Sequence, residues 1–93
     1  MTIKDQDLSK KHDLATRILI QAIESANESI SIFKKRSTIA MLISCEETLL
    51  ELIPMVEIVA NENPRYRGKL IRFKKTLEAV QLGSDVELIC PAL

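Results

Sequence analysis

Apolar residues are most concentrated between Ile39 and Ala60, where fifteen of twenty-two positions carry Ile, Leu, Val, Met, Cys or Ala. On a helix with about 100° per residue these positions cover an arc of roughly 200°. An arc this wide needs cover from more than one neighbouring helix, so we expect a central helix over 38–60 with partners on two sides. Pro54 lies inside the pattern and removes one backbone hydrogen bond, which predicts a kink or a break there.

The start of this central helix has two candidate positions. Ser37 or Thr38 precedes the apolar pattern directly and has the side chain of a good N-cap. Ser44, followed three residues later by Glu47, also matches a capping box. In that case the helix begins at Ser44, and residues 38–43 are extended.

Two further helices are predicted on either side of the central one. Apolar residues spaced three or four apart predict a first helix over 7–36. Asn63 as N-cap and Pro64 at the first helical position predict the start of a third helix over 64–82, and Gly83 predicts its end. Because the connections are short, the pattern predicts an all-α fold, a three-helix antiparallel bundle.

The ends of the chain and three short segments are less regular. Residues 1–6 are polar and are expected to be frayed, and the tail 84–93 is expected to be irregular or an edge strand. Polar and apolar residues alternate near 29–33, 38–43 and 86–90. Such alternation is typical of strands, so an α+β fold remains the alternative.

The length and composition favour a single small domain that self-associates. The chain has 93 residues, an apolar fraction of 46% and only three aromatic residues, so residues 1–93 form one domain with an aliphatic core. A chain of this size buries only about 60% of the surface that its unfolded form exposes. Because the central apolar arc is also wider than two short neighbours can cover, we expect a homodimer.

The cysteines and the apolar runs indicate the compartment. Two cysteines are too few for a disulfide framework, and no secretory signal begins the sequence. No apolar run reaches the roughly 20 residues that span a bilayer. We therefore expect a cytoplasmic protein that does not enter a membrane.

Charges are segregated along the chain although the net charge is zero. Residues 46–62 carry five Glu and no cation, and residues 65–75 carry six cations and no anion. Four of these cations lie on one flank of the third helix and form the candidate partner-binding site: Arg65, Lys69, Arg72 and Lys75.

This basic flank has two interpretations. It is a surface for an acidic protein or for nucleic acid, or it pairs with the acidic central helix, within the fold or across a dimer. The zero net charge and the few aromatic residues argue against nucleic acid.

The sequence offers no strong candidate for catalysis. His12 is the only histidine and has no ligand partners at zinc spacing, so no metal site is expected. Cys45 lies on the apolar arc and is predicted to be a buried thiol. Glu46 falls within the same arc and is predicted to form an ion pair with the first or third helix. Phosphate loops and nucleophile elbows are lacking, so we expect no catalytic residue and no cofactor.

The pattern as a whole predicts a non-enzymatic protein–protein interaction module. It is typical of a small helical adaptor, chaperone or inhibitor that acts through its helix faces. The alternative is a dimeric nucleic-acid-associated regulator that uses the basic face of the third helix.

Overall fold

A computed structural model describes the backbone from residue 2 to residue 93 and the side chains of residues 14–93. The described residues form helices and no strand: α1 (Thr2–Lys35), α2 (Ile39–Glu62), a short 3-10 turn (Pro64–Tyr66) and α3 (Arg67–Leu82). The all-α prediction is confirmed. The α+β alternative is wrong, because 29–33 belong to α1, 39–43 belong to α2, and 86–90 have no regular secondary structure.

Helix α2 begins at Ile39 because Thr38 caps it. The backbone of Thr38 is extended (φ −100°, ψ 160°), and its hydroxyl oxygen accepts a hydrogen bond of 3.2 Å from the backbone N–H of Met41. The start at Thr38 is therefore confirmed and the start at Ser44 is wrong. Pro54 lies inside α2, which continues to Glu62, so the helix is not broken there.

Helix α1 begins at Thr2, earlier than the predicted start at residue 7, and ends at Lys35. In its second half, Ala26 and Ile30 are buried and Phe33 is half-buried, which is the spacing of one helix face. This helical spacing, rather than the alternation of residues 29–33, decides the local structure. The side chains of residues 1–6 lie outside the described residues, so the predicted fraying of this segment stays a prediction.

The third helix ends where the sequence predicts. Gly83 has a φ of 69°, and its backbone N–H bonds to the carbonyl oxygens of Ala79 and Val80. This is the left-handed cap that glycine adopts without steric cost. At the other end, Asn63 precedes the 3-10 turn and Pro64 is its first residue, but the Asn63 side chain makes no capping hydrogen bond.

The core lies where α1 and α3 each pack against α2. Within the described residues the backbones of α1 and α3 do not contact each other directly. Residues 84–93, which we call the C-terminal segment, form hydrogen bonds with both of these helices. The segment also contributes Val86 and Ile89 to the core. The largest fully buried side chains are aliphatic except for one aromatic ring and one thiol: Phe73, Leu19, Ile23, Ile30, Leu49, Ile89, Val56, Val80 and Cys45.

Candidate interaction surfaces

The first residue of the predicted basic flank, Arg65, interacts with its own neighbour in the chain. Its guanidinium lies 4.7 Å from the centre of the Tyr66 ring and donates a hydrogen bond of 2.8 Å to the Tyr66 hydroxyl. That hydroxyl is also 2.9 Å from the hydroxyl of Thr16 on α1. Arg65 is part of the 3-10 turn, and its side chain lies against the Tyr66 ring while it stays exposed.

The next two cations contact the C-terminal segment. Lys69 Nζ donates a hydrogen bond of 2.6 Å to the carbonyl oxygen of Cys90. Arg72 Nη2 lies 3.2 Å from a carboxylate oxygen of Glu87 and forms an ion pair with it. Both side chains of this pair are substantially exposed, at 41% and 78%. The basic flank therefore faces the C-terminal segment.

The fourth cation, Lys75, is exposed and forms no ion pair with any described residue. No ion pair joins α3 to the acidic residues of α2 within the described part of the chain. The prediction that the basic flank pairs with the acidic residues of the central helix within the fold is therefore wrong for the described residues. Binding of a partner by Arg65, Lys69, Arg72 and Lys75 stays a prediction.

Asn27 on α1 binds the main chain of the C-terminal segment. Its side-chain nitrogen donates to the carbonyl oxygen of Ile89 at 2.8 Å, and its side-chain oxygen accepts from the N–H of Ile89 at 2.7 Å. On either side of Glu87 and Leu88, the side chains of Val86 and Ile89 enter the core and are 3% and 0% exposed. This role of Asn27 could not be predicted from the sequence, because no local pattern distinguishes it from an ordinary polar residue on a helix surface.

An open groove runs beside this segment. It has a volume of about 420 Å³ and is lined by residues of the 3-10 turn, of α3 and of the C-terminal segment: Arg65, Gly68, Lys69, Arg72, Leu88 and Cys90. The side chains of Leu88 and Cys90 are exposed at its edge. The segment therefore leaves space next to the basic flank.

A second surface lies on α2. Four aliphatic side chains are 79%, 47%, 50% and 61% exposed and fall within an arc of about 100° on the helix. We call this surface the α2 face, and it consists of Ile39, Ile43, Leu50 and Ile58. The opposite side of α2 is buried by the core, so the wide apolar arc of the sequence is only partly covered within the chain.

The candidate catalytic residues do not form a site. Cys45 is 1% exposed, and burial raises the pKa of its thiol, which keeps the sulfur protonated at neutral pH and poorly nucleophilic. Glu46 is half-buried, and its predicted ion pair with the first or third helix is not found among the side chains of residues 14–93. The side chain of His12 lies outside the described residues. Among residues 14–93 no group of three potential ligands is placed to hold a metal ion.

Comparisons with protein-family models, with curated proteins and with solved structures found no match for this chain. None of the described helices combines the length and the apolar character that crossing a bilayer requires. The chain's two surfaces, the α2 face and the groove beside the C-terminal segment, are thus the features that a functional proposal has to explain.

Proposed function

We propose that this protein is a non-enzymatic protein–protein interaction module, an adaptor, chaperone or inhibitor that works through its helix faces. The observation that supports this proposal is the α2 face. Single exposed apolar residues are ordinary, but several aliphatic side chains aligned along one helix are typical of a surface that another chain covers. Ile39 and Ile58, near the two ends of α2, are the most exposed of the four.

The first chain to cover the α2 face, in this proposal, is a second copy. We propose that each chain is a three-helix antiparallel bundle with α2 kinked at Pro54. In the dimer, the two α2 helices pack against each other in opposite directions about a two-fold axis. The charges favour this orientation. Lys34, Lys35 and Arg36 precede α2, whereas Glu57 and Glu62 lie in its last turns. In opposite directions, the basic start of one helix lies near the acidic end of the other.

The size of the α2 face is consistent with a dimer of modest affinity. Burying these side chains and their neighbours in both copies removes on the order of 1,000 Å² of surface, which is near the lower limit for a specific interface. Ile39 and Ile58 then lie near each other's counterparts, and Leu50 lies near the two-fold axis. A charge introduced at Leu50 should therefore weaken the dimer more than any other single substitution on the α2 face.

The test is the mass of the chain in solution. The wild type should elute in light-scattering chromatography at twice the chain mass of 10.5 kDa at tens of micromolar. Leu50→Lys should lower the mass to that of one chain, because two lysines would meet in the apolar interface. Leu82→Lys is the matched control, since Leu82 is 71% exposed on α3 and lies outside the α2 face. A monomeric wild type, or a dimeric Leu50→Lys, would contradict the dimer.

We propose interaction with protein rather than with nucleic acid because the net charge is zero and only three aromatic residues are available for base stacking. In the free protein, Arg65 contacts Tyr66, and Lys69 and Arg72 contact the C-terminal segment. A nucleic-acid regulator would bind DNA or RNA at about 50 mM salt and lose affinity steeply as salt rises. Our proposal expects no such binding in a titration monitored by fluorescence anisotropy.

We also propose a reducing, cytoplasmic setting. Cys45 and Cys90 are both free, and Cys45 is buried in the aliphatic core as a small apolar side chain.

A further inference from the structure

The contacts that hold the C-terminal segment are of a kind that recognises an extended main chain. Asn27 bonds both the N–H and the carbonyl oxygen of Ile89, and Lys69 bonds the carbonyl oxygen of Cys90. None of these hydrogen bonds depends on which side chain the segment carries. Selection among sequences comes from the two buried side chains, Val86 and Ile89, which are three residues apart.

The charges around the segment are not balanced. The basic flank offers four cations, but the segment gives it a single carboxylate partner, Glu87, which pairs with Arg72. Arg65 and Lys75 have no carboxylate partner among the described residues. The exposed side chains of Leu88 and Cys90 border the open groove that Arg65 and Lys69 line. A segment with carboxylates at those two positions would fit the flank better than the chain's own segment does.

The C-terminal segment lies between α1 and α3, where it bonds Asn27 and Lys69, and we call this place the groove between α1 and α3; the open groove lies beside it. We propose that the groove between α1 and α3 is a binding site for an extended acidic segment of a partner protein, and that the chain's own C-terminal segment occupies this site in the free protein. The partner segment carries aliphatic residues at the positions of Val86 and Ile89 and acidic residues between and after them. Arg65, Lys69, Arg72 and Lys75 then bind its carboxylates, and Asn27 binds its main chain.

The occupant is a different protein rather than a second copy of this chain. The chain's own segment is tethered beside the groove and acts at a high effective concentration. The identical segment of a second copy gains no additional contact and therefore does not displace it. An acidic segment gains ion pairs with Arg65 and Lys69, whereas the tethered segment offers neither of them a carboxylate partner among the described residues. This proposal does not depend on the dimer through the α2 face, which is a separate surface.

The test uses the full chain and a defined fluorescent peptide. The acidic probe has the sequence of residues 84–93 with Leu88→Glu and Cys90→Glu, and the plain probe has only Cys90→Ser. Each is titrated into the wild type and into the full-length double variant Val86→Ala, Ile89→Ala, in which the tethered segment is weakened. Binding is followed by fluorescence anisotropy, and circular dichroism reports whether each protein remains helical.

The acidic probe should bind the double variant at least tenfold more tightly than it binds the wild type, because the competing segment is weakened. It should also bind at least fivefold more tightly than the plain probe, and rising salt should reduce that difference. Adding Arg72→Gln to the double variant should weaken binding of the acidic probe two- to fivefold. Lys74→Gln is the matched control, an exposed cation on α3 that does not line the groove, and should have no effect.

Several results would overturn the proposal. The first is equal affinity of the double variant for the two probes, or no binding of either. The second is loss of helical structure in the double variant, which would make the C-terminal segment a fixed part of the core. The third is a wild-type dimer that Ile89→Ala dissociates but Leu50→Lys does not, because the groove would then hold the segment of a second copy.

Discussion

The α2 face and the groove between α1 and α3 present the same physical problem with different outcomes. In each, aliphatic surface of the helices would meet water unless another segment covered it. In the groove, the chain covers that surface itself with two anchors, Val86 and Ile89, which are almost fully buried. On the α2 face, Ile39 and Ile58 remain 79% and 61% exposed, and no described segment of the chain covers them.

The difference shows how little regular structure is needed to cover an apolar groove. The C-terminal segment has no helix or strand of its own, and its other described side chains are exposed. Three of its main-chain groups, the N–H and carbonyl of Ile89 and the carbonyl of Cys90, form hydrogen bonds with Asn27 and Lys69. A fourth helix would cover more surface but would be harder to displace. Regions held by few anchors open with a lower free energy than the core does.

The comparison is tested most strongly by truncating one isoleucine in each region. Ile89→Ala should lower the free energy of unfolding by about 2 kcal/mol, because a fully buried side chain leaves a cavity. The loss should lie near the lower end of the range for core isoleucines, since the segment can detach instead of retaining the cavity. Ile58→Ala should change it by less than about 0.5 kcal/mol. Urea unfolding followed by circular dichroism at a few micromolar chain measures both values.

A matched control separates detachment from loss of the whole core. If the segment detaches as a unit, the double variant Val86→Ala, Ile89→Ala should cost little more than Ile89→Ala alone, because its docking contributes only once. Fully additive losses would mean that the segment stays in place, and the contrast between the two regions would then be one of exposure only.

The sequence predicted the framework well because the framework depends on local rules. Thr38 is a good N-cap at the start of α2, and Gly83 adopts the positive φ that ends α3. The wide apolar arc from Ile39 to Ala60 correctly indicated that α2 needs two partners. The three- and four-residue spacing in α1 also outweighed the alternation of residues 29–33.

The contacts of the basic flank could not be predicted because they join residues far apart in the chain. Asn27 and Ile89 are separated by 62 positions, and nothing near either of them indicates the other. The segregation of charges along the sequence suggested that the cations of α3 form ion pairs with the Glu residues of α2. The geometry instead places Arg72 beside Glu87, one of two acidic residues in a segment whose path no helical periodicity determines.

The contribution of main-chain recognition is tested by Asn27→Ala. The substitution removes both hydrogen bonds to Ile89 and should cost about 1–2 kcal/mol in the free energy of unfolding. Asn61→Ala is the control, an exposed asparagine near the end of α2, and should change the value by less than about 0.5 kcal/mol. Urea unfolding measures the two variants.

Combining Asn27→Ala with Ile89→Ala sharpens this result. Both substitutions act on docking of the same segment, so the double variant should lose clearly less than the sum of the two single losses. Additive losses would indicate that Asn27 stabilises the protein independently of the C-terminal segment, and its role in the groove would have to be abandoned.

A further prediction compares the two thiols, one on the buried side of α2 and one beside the open groove. Cys45 is buried and Cys90 is exposed, so a thiol reagent should modify one sulfur per chain rapidly and the other only as the core opens. With an aromatic disulfide reagent, the absorbance of the aromatic thiolate that each reaction releases measures both phases. Cys90→Ala should remove the rapid phase, and a rapid reaction in that variant would show that the core around Cys45 is open to the reagent.

The buried thiol of Cys45 makes the free energy of unfolding depend on pH in the alkaline range. Burial raises the pKa of Cys45 above the ordinary thiol value of 9.0, so above pH 9.0 the unfolded chain loses this proton more readily than the folded chain does. The unfolded state then binds fewer protons, and the free energy of unfolding falls as pH rises, by at most about 1.4 kcal/mol per pH unit until the folded thiol also ionises. Below pH 9.0 this contribution is constant. Urea unfolding of the wild type and of Cys45→Ala between pH 8 and pH 10 isolates the term, because the other titrating groups are common to both. Cys90→Ala keeps the buried thiol, so its free energy of unfolding should fall with pH as steeply as that of the wild type. Equal slopes for the wild type and Cys45→Ala would contradict the prediction. They would mean that water reaches Cys45 and that α2 is less tightly covered than its burial indicates.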